Sequence, residues 1–316
     1  MSFYKVTTSP YRAYFVTIKT QFWDGVPVMH SVNVGGQMKG CVEMVVNIPL
    51  APHVLANMHP LMAAQEVKKN VAKLTFVGYN PKCSVNGNMP GGSGTRHMIR
   101  TAMSLVLLKY DWISGFQLTD NSEVFCKEGL FVSLSHMSLV KNGQTYYQKY
   151  FGAQLVDVDA RRKFISDVAK LSDATQKLSL TEFAFNLQIN PADVAKLASA
   201  YEASTTYIQF FSAFNEWCAI HDEKYCEIIN GFLVRFIMEY IFSDTGPAVW
   251  SQPWIIRRDQ VDTVTIDEAP LTDLAVVSEV SDAFQKQQET YKKYQTQHGG
   301  GRFNVRPFSF GAADID

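Results

Sequence analysis

The residues best suited to chemistry in this sequence form a glycine-rich loop that leads into a predicted helix. The loop reads Met89-Pro-Gly-Gly-Ser-Gly-Thr-Arg, and apolar spacing predicts the helix over 95–109. The start of a helix favours an anion, because its backbone N–H groups are free and its dipole is positive there. Glycines have no Cβ atom, so phosphate oxygens can approach these N–H groups closely. Arg96 and Arg100 follow at i,i+4 spacing and can add charge-assisted bonds. We therefore predict an anion site formed by Gly91, Gly92, Ser93, Gly94, Thr95 and Arg96.

Three better-known glycine motifs do not match this loop. A P-loop requires Gly-Lys-Ser/Thr, whereas Ser93 and Gly94 follow the glycine pair here. The dinucleotide pattern G-x-G-x-x-G has His97 in its third glycine position. The nucleophile elbow G-x-S-x-G has Thr95 in place of its second glycine. A flexible turn without a ligand therefore stays open as an alternative interpretation.

The order of elements around this loop carries a resemblance to a known family. A predicted strand precedes the loop, and a helix, the strand Gly115-Phe-Gln-Leu-Thr, a second helix and the string Tyr147-Gln-Lys-Tyr-Phe-Gly follow it. Residues 71–155 thereby resemble the GNAT superfamily of N-acetyltransferases. The resemblance implies that the loop binds the pyrophosphate of acetyl-CoA. It also implies that Tyr147 is the general acid that reprotonates the departing CoA thiolate, a role that suits a phenol.

The same segment departs from the GNAT pattern at the positions that support catalysis. Met89 stands where the family has Gln or Arg, and residues 72–79 contain no acidic general base. The segment also looks like a protein of large DNA viruses of eukaryotes, a resemblance that brings no chemistry. We therefore expect a structural or assembly protein built on a GNAT-like fold with degenerate catalytic motifs. The second resemblance implies that this protein is viral. The alternative is an acyl-CoA-dependent N-acyltransferase that transfers acetyl from acetyl-CoA to an amine. Acetyl-CoA is the expected cofactor only in this enzymatic case, and the structural protein is expected to use none.

Local patterns predict strands early in the chain and helices later. β-Branched and aromatic residues predict strands in the first 50 residues and at 72–79, 116–119, 154–158 and 262–266. Apolar spacing predicts helices at 52–69, 95–109, 135–150, across most of 161–242 and at 271–297. Asn190 and Pro191 are typical of an N-cap and a first helical residue. The predicted fold class is α+β: a GNAT-like mixed sheet with flanking helices, followed by a mainly helical domain.

The predicted division is a GNAT-like domain over 1–160, a helical domain over 161–298 and a tail over 299–316. The tail begins with three glycines and carries Phe303, Arg306, Phe308 and Phe310, which suit a docking arm. Residues 1–155 contain 14 basic and 7 acidic side chains, whereas 156–316 contain 15 and 23. This asymmetry indicates either an anionic ligand on the first half or two halves that neutralise each other. We expect self-association or a protein partner, and the net charge of −1 makes nucleic acid an unexpected partner.

The five cysteines are an odd number with wide spacing, which favours reduced thiols in an intracellular compartment, the cytoplasm or a virion. A zinc site at Cys218, His221 and Cys226 is a weaker interpretation because structural zinc sites usually use two separated pairs. A nucleophilic pair of Cys126 and His136 is a further weak interpretation, because no spacing enforces their contact. No apolar run reaches the roughly 18 residues of a membrane span.

Overall fold

A computed structural model describes residues 2–8, 12–36, 39–50, 70–78, 83–85, 93–120, 123–127, 130–243 and 252–270. The described residues fall into two compact units. Unit 1 contains the residues up to Leu118 and those from Ile255 to Pro270, and unit 2 contains Thr119–Trp254. These units differ from the domain boundary that the sequence predicts at residue 160, because the chain returns to the sheet of unit 1 after the helices of unit 2.

The strands are numbered in chain order: β1 Ser2–Thr8, β2 Arg12–Trp23, β3 Val26–Gly36, β4 Lys39–Asn47, β5 Val71–Val77, β6 Gly115–Leu118, β7 Glu123–Lys127, β8 Leu130–Ser133, β9 Gln154–Leu155, β10 Trp254–Arg257 and β11 Ile266–Pro270. The helices are α1 Ser93–Lys109, α2 Leu134–Asn142, α3 Tyr146–Phe151, α4 Val158–Ala169, α5 Leu180–Asn186, α6 Pro191–Glu202, α7 Tyr207–Ile220, α8 Tyr225–Ile229 and α9 Leu233–Arg235. A π-helical segment, Phe236–Ile241, follows α9 directly.

Unit 1 is a mixed sheet with the strand order β11-β1-β2-β3-β4-β5-β6-β10. Pairing is antiparallel from β11 to β5, whereas β5 and β6 run parallel. Parallel neighbours require a crossover connection, and α1 supplies it. This helix lies against β3 and β4 and buries an apolar face that includes Met98, Ala102 and Val106. The predicted α+β class with a mixed sheet is confirmed.

Unit 2 consists of the β7–β8 hairpin followed by short helices around an aromatic core. The Phe183 ring lies 4.9 Å from that of Tyr201 and 5.7 Å from that of Phe210, and all three side chains are buried. Asn190 accepts a hydrogen bond from the N–H of Ala192, and Pro191 is the first residue of α6, as predicted. Each of these aromatic side chains buries a large apolar area, so the rings contribute strongly to the stability of unit 2.

Several predicted elements have different bounds in the structure. The helix predicted over 135–150 is two helices, because Gly143 ends α2 in the left-handed region (φ +66) and Thr145 caps α3. The strand predicted at 154–158 stops at Leu155, because Asp157 caps α4. The strand predicted at 262–266 lies at Ile266–Pro270 instead. The helices predicted at 52–69 and 271–297 and the tail at 299–316 lie outside the described residues.

The prediction of reduced thiols is wrong for four of the five cysteines. Disulfides join Cys41 to Cys83, 42 positions apart, and Cys126 to Cys226, 100 positions apart. Their Cα–Cα distances of 6.0 and 5.9 Å lie in the usual range for a disulfide. Cys218 is free and buried. The spacing along the chain gave no sign of either pair, because the fold brings distant segments together.

Within the described part of the chain, no helix has both the length and the apolar character needed to cross a membrane.

Candidate functional site

The predicted anion site lies at the start of α1 in unit 1. Ser93 is exposed, Gly94 and Thr95 are buried, and Arg96 is half-buried. Gly91 and Gly92 lie outside the described residues. The first turn of α1 contains no acidic side chain that would compete with an external anion for the free N–H groups. The four described residues of the predicted site therefore have the local features of an anion-binding helix start.

A cavity of about 230 Å³ opens beside this helix start. It is lined by Ser93, Arg96, His97 and Arg100 from α1 and by Arg12 from the first position of β2. Arg12, Arg96 and Arg100 are the three arginines of the first 155 residues, and all of them line this one cavity. We call this the basic cavity.

Two arginines of the basic cavity, Arg12 and Arg100, have buried donor atoms without an acceptor among the described residues. Arg100 Nη1 lies 3.2 Å from Asp262 Oδ2, but this carboxylate is 73% exposed and therefore only weakly attractive. Nη1 of Arg12 is buried and has no hydrogen-bond partner among the described residues, and the same holds for Nε of Arg100. Buried donors without acceptors are costly, so an anion in the cavity would satisfy them.

His97 lines the basic cavity and contacts two side chains of the sheet. Its Nδ1 lies 2.9 Å from the hydroxyl of Tyr14, and its Nε2 lies 3.4 Å from Oγ1 of Thr8. The Thr8 hydroxyl donates to the carbonyl of Arg12. In the tautomer of His97 that carries the proton on Nε2, this nitrogen donates to the Thr8 hydroxyl, and Nδ1 accepts from Tyr14. Burial raises the pKa of Tyr14, and the nearby Arg12 guanidinium partly opposes that shift. These bonds hold α1 against β1 and β2.

Sequence reasoning placed Arg96 at this site and noted Arg100 and His97, but it missed Arg12. Arg12 lies 84 positions before Arg96, and no motif surrounds it. The one available signal was an arginine directly before the apolar run Ala13-Tyr14-Phe15, because arginine is seldom found next to a buried strand without a partner.

Tyr147, the predicted general acid, belongs to unit 2 and is buried in α3 at 6% exposure. Its ring packs edge-on against Tyr146 at 5.4 Å. Burial, and secondarily the charge of Asp120 and the neighbouring Tyr146, raise its pKa well above the ordinary value of 10. A phenol in this environment holds its proton tightly and is a poor general acid at neutral pH. Tyr147 does not line the basic cavity.

The disulfide between Cys126 and Cys226 contradicts two hypotheses from the sequence, a zinc site and a nucleophilic Cys–His pair. Cys226 is bonded to Cys126, so it does not provide a thiolate for a zinc site with Cys218 and His221. The described residues contain no group of three His, Cys, Asp or Glu side chains that could hold a metal ion. The same disulfide removes Cys126 as a nucleophile beside His136, whose pKa burial lowers to about 4.

The donor set of the basic cavity suits the pyrophosphate that the GNAT resemblance assigns to this helix start. Arginine matches phosphate oxygens in pairs, and the buried Arg12 Nη1 lacks an acceptor. Arg12, Arg96 and Arg100, together with the N–H groups of the first turn of α1, would hold such a group. Comparison of the chain with protein-family models, curated proteins and solved structures finds no match. The GNAT likeness therefore stays a prediction.

Proposed function

We propose that this protein binds a pyrophosphate-bearing ligand of the CoA type in the basic cavity and serves as a structural or assembly protein. The observation that carries the binding proposal is the convergence of Arg12, Arg96 and Arg100 on one cavity at a helix start. The non-catalytic part is supported by the burial and raised pKa of Tyr147.

The charge of the cavity selects a multiply charged anion over a single carboxylate. Three guanidinium groups line this one cavity, and the Asp262 carboxylate that lies beside Arg100 is largely exposed and therefore attracts it only weakly. A volume of about 230 Å³ is too small for a whole CoA molecule but sufficient for its pyrophosphate. The rest of such a ligand would lie outside the cavity. Helix starts bind phosphate groups in this manner in many folds.

Calorimetric titration of the full chain with CoA and with inorganic pyrophosphate at low ionic strength tests the binding. We expect both to bind, and we expect Arg12→Ala and Arg96→Ala each to weaken binding by roughly tenfold or more, the usual effect of losing a charge-assisted bond. Lys5→Ala is the matched control, because Lys5 is an exposed cation of the same unit outside the cavity. Absence of binding, or equal losses in Arg96→Ala and Lys5→Ala, would contradict the proposal.

A second candidate function is an acyl-CoA-dependent N-acyltransferase, favoured by the position of the basic cavity at the helix start that the resemblance assigns to acetyl-CoA. Release of free CoA thiol from acetyl-CoA in the presence of an amine panel measures this activity. In an active enzyme, Tyr147→Phe should lower turnover by about 10²- to 10⁴-fold without changing CoA affinity. A protein that binds CoA and releases no thiol would support the structural role.

The assembly role predicts that the full chain associates with itself or with a partner. Residues 299–316 lie outside the described part of the structure, and their aromatic and arginine content suits a docking arm. Light scattering should therefore show a mass above that of a monomer for the full chain and a lower mass after removal of 299–316. Monomers in both cases would contradict the assembly role while leaving ligand binding in the basic cavity intact.

A further inference from the structure

Unit 2 contains a larger cavity, of about 420 Å³, that none of the predicted sites uses. Its lining comes from the segments around α3, β9 and α4 and from the start of β10. The lining combines three amides, one cation and two aromatic rings: Gln144, Gln148, Gln154, Arg161, Phe164 and Trp254. A cavity of this size, with apolar walls and a few polar groups, is typical of small-molecule sites.

Trp254 brings an unsatisfied donor to this cavity. The side chain is 1% exposed, and its indole N–H has no hydrogen-bond acceptor among the described residues. Its ring packs edge-on against Phe164 at 5.3 Å. A buried indole N–H normally has an acceptor, because leaving it unpaired costs about 1–3 kcal/mol. A ligand with an acceptor oxygen would supply the missing partner.

Arg161 contributes a positive charge that no carboxylate among the described residues balances. Its Nη1 donates to Oε1 of Gln154 at 2.7 Å, and this amide is neutral. No described carboxylate lies within ion-pair distance of Arg161. The acidic neighbours on α4 are used elsewhere: Asp157 caps the helix at Ala160, and Asp159 lies 3.5 Å from Arg162. The guanidinium therefore retains donors for an anionic oxygen.

We propose that this cavity binds a small organic monocarboxylate with an apolar body. The carboxylate would accept hydrogen bonds from Arg161 and from the indole N–H of Trp254, and the apolar body would lie against Ile165, which lines the cavity and is 60% exposed. One guanidinium matches one carboxylate in a paired geometry. The single cation distinguishes this site from the basic cavity, where three arginines suit pyrophosphate.

The proposal is tested by calorimetric titration of the full chain with 3-phenylpropionate, with the uncharged 3-phenylpropanamide as comparison. We expect the acid to bind and the amide to bind at least about tenfold more weakly, because the amide lacks the charge. Arg161→Gln should weaken binding of the acid by a similar factor. Arg162→Gln is the matched control, since Arg162 lies next in sequence, is 77% exposed and does not line the cavity.

The contribution of Trp254 has its own measurement, because Trp254→Phe at a fully buried position can impair folding. In the unsubstituted protein, one of the five indole N–H signals in a ¹⁵N–¹H spectrum should shift on addition of 3-phenylpropionate. The Arg96→Ala protein should bind the acid as the unsubstituted protein does, which separates this site from the basic cavity. The proposal is overturned if the acid does not bind at about 10 mM, if the amide binds equally well, or if Arg162→Gln weakens binding as much as Arg161→Gln.

Discussion

The hydroxyl of Tyr14 lies 2.9 Å from Nδ1 of His97, which joins the second strand of the sheet to the first turns of α1 across 83 positions of sequence. Tyr14 is fully buried, and His97 lines the basic cavity. The bond therefore couples the packing of the sheet to the orientation of the cavity wall. Loss of the phenol hydroxyl would leave Nδ1 of His97 without this donor.

Tyr14→Phe should lower the free energy of unfolding by about 1–3 kcal/mol, the cost of unpairing a buried polar group. It should also weaken pyrophosphate binding, because His97 loses the contact that orients it. Urea denaturation and calorimetry measure the two effects. Tyr4→Phe is the control: Lys109 Nζ lies over the Tyr4 ring, 4.4 Å from its centroid, and this contact survives removal of the hydroxyl. Equal stability losses in the two variants would refute the role assigned to the Tyr14–His97 bond.

His136 should make unit 2 sensitive to mild acid. Burial lowers its pKa from 6.5 to about 4, so between these values the unfolded chain takes up a proton that the folded chain does not. The free energy of unfolding should therefore fall as the pH drops from 6.5 to 4, by on the order of 3 kcal/mol from this group. Urea denaturation at a series of pH values should show a flatter dependence for His136→Gln. His221→Gln, at an exposed histidine of the same unit, should retain the slope of the unsubstituted protein.

The number of reactive thiols should rise in two steps, one on unfolding and one on reduction. The native protein should show none among the described cysteines, because Cys218 is buried and burial raises its pKa to about 12. Unfolding without reductant should expose this single thiol, and reduction should raise the count to five. Titration with a chromogenic disulfide reagent measures each step. Five thiols in the unreduced, unfolded chain would show that neither disulfide forms in the protein tested.

Gly115 should tolerate no side chain, because a Cβ atom there would lie 2.8 Å from the carbonyl oxygen of Ile256 on β10. Gly115→Ala must push these backbones apart and should lower the free energy of unfolding by about 1–3 kcal/mol, the range for overpacked sites. Gly231→Ala is the control, because its nearest neighbour would be the Ile228 carbonyl oxygen at an ordinary 3.7 Å. Thermal or urea denaturation compares the two. If Gly115→Ala leaves the free energy of unfolding unchanged, β6 and β10 lie further apart than the 2.8 Å approach implies.

Elements with strong local signals were predictable from sequence. The cap at Asn190 and the first helical residue Pro191 were predicted because capping depends on side chains within about three residues of each other. The alternating pattern after Ala72 predicted β5, and apolar spacing predicted α1. The break at Gly143 was missed because an isolated glycine in a helical pattern is compatible both with a helix interior and with its end.

The sequence by itself determined the α+β class, the glycine-rich start of α1 and the presence of three arginines in the first 155 residues. Only the tertiary structure decided that Arg12 joins Arg96 and Arg100 in one cavity, and that Cys126 pairs with Cys226. The physical reason is the range of the interactions involved. Helix periodicity and caps act within a few residues and are visible in the chain. The meeting of Arg12 with α1 depends on how the sheet and the helix pack together, which no local pattern records.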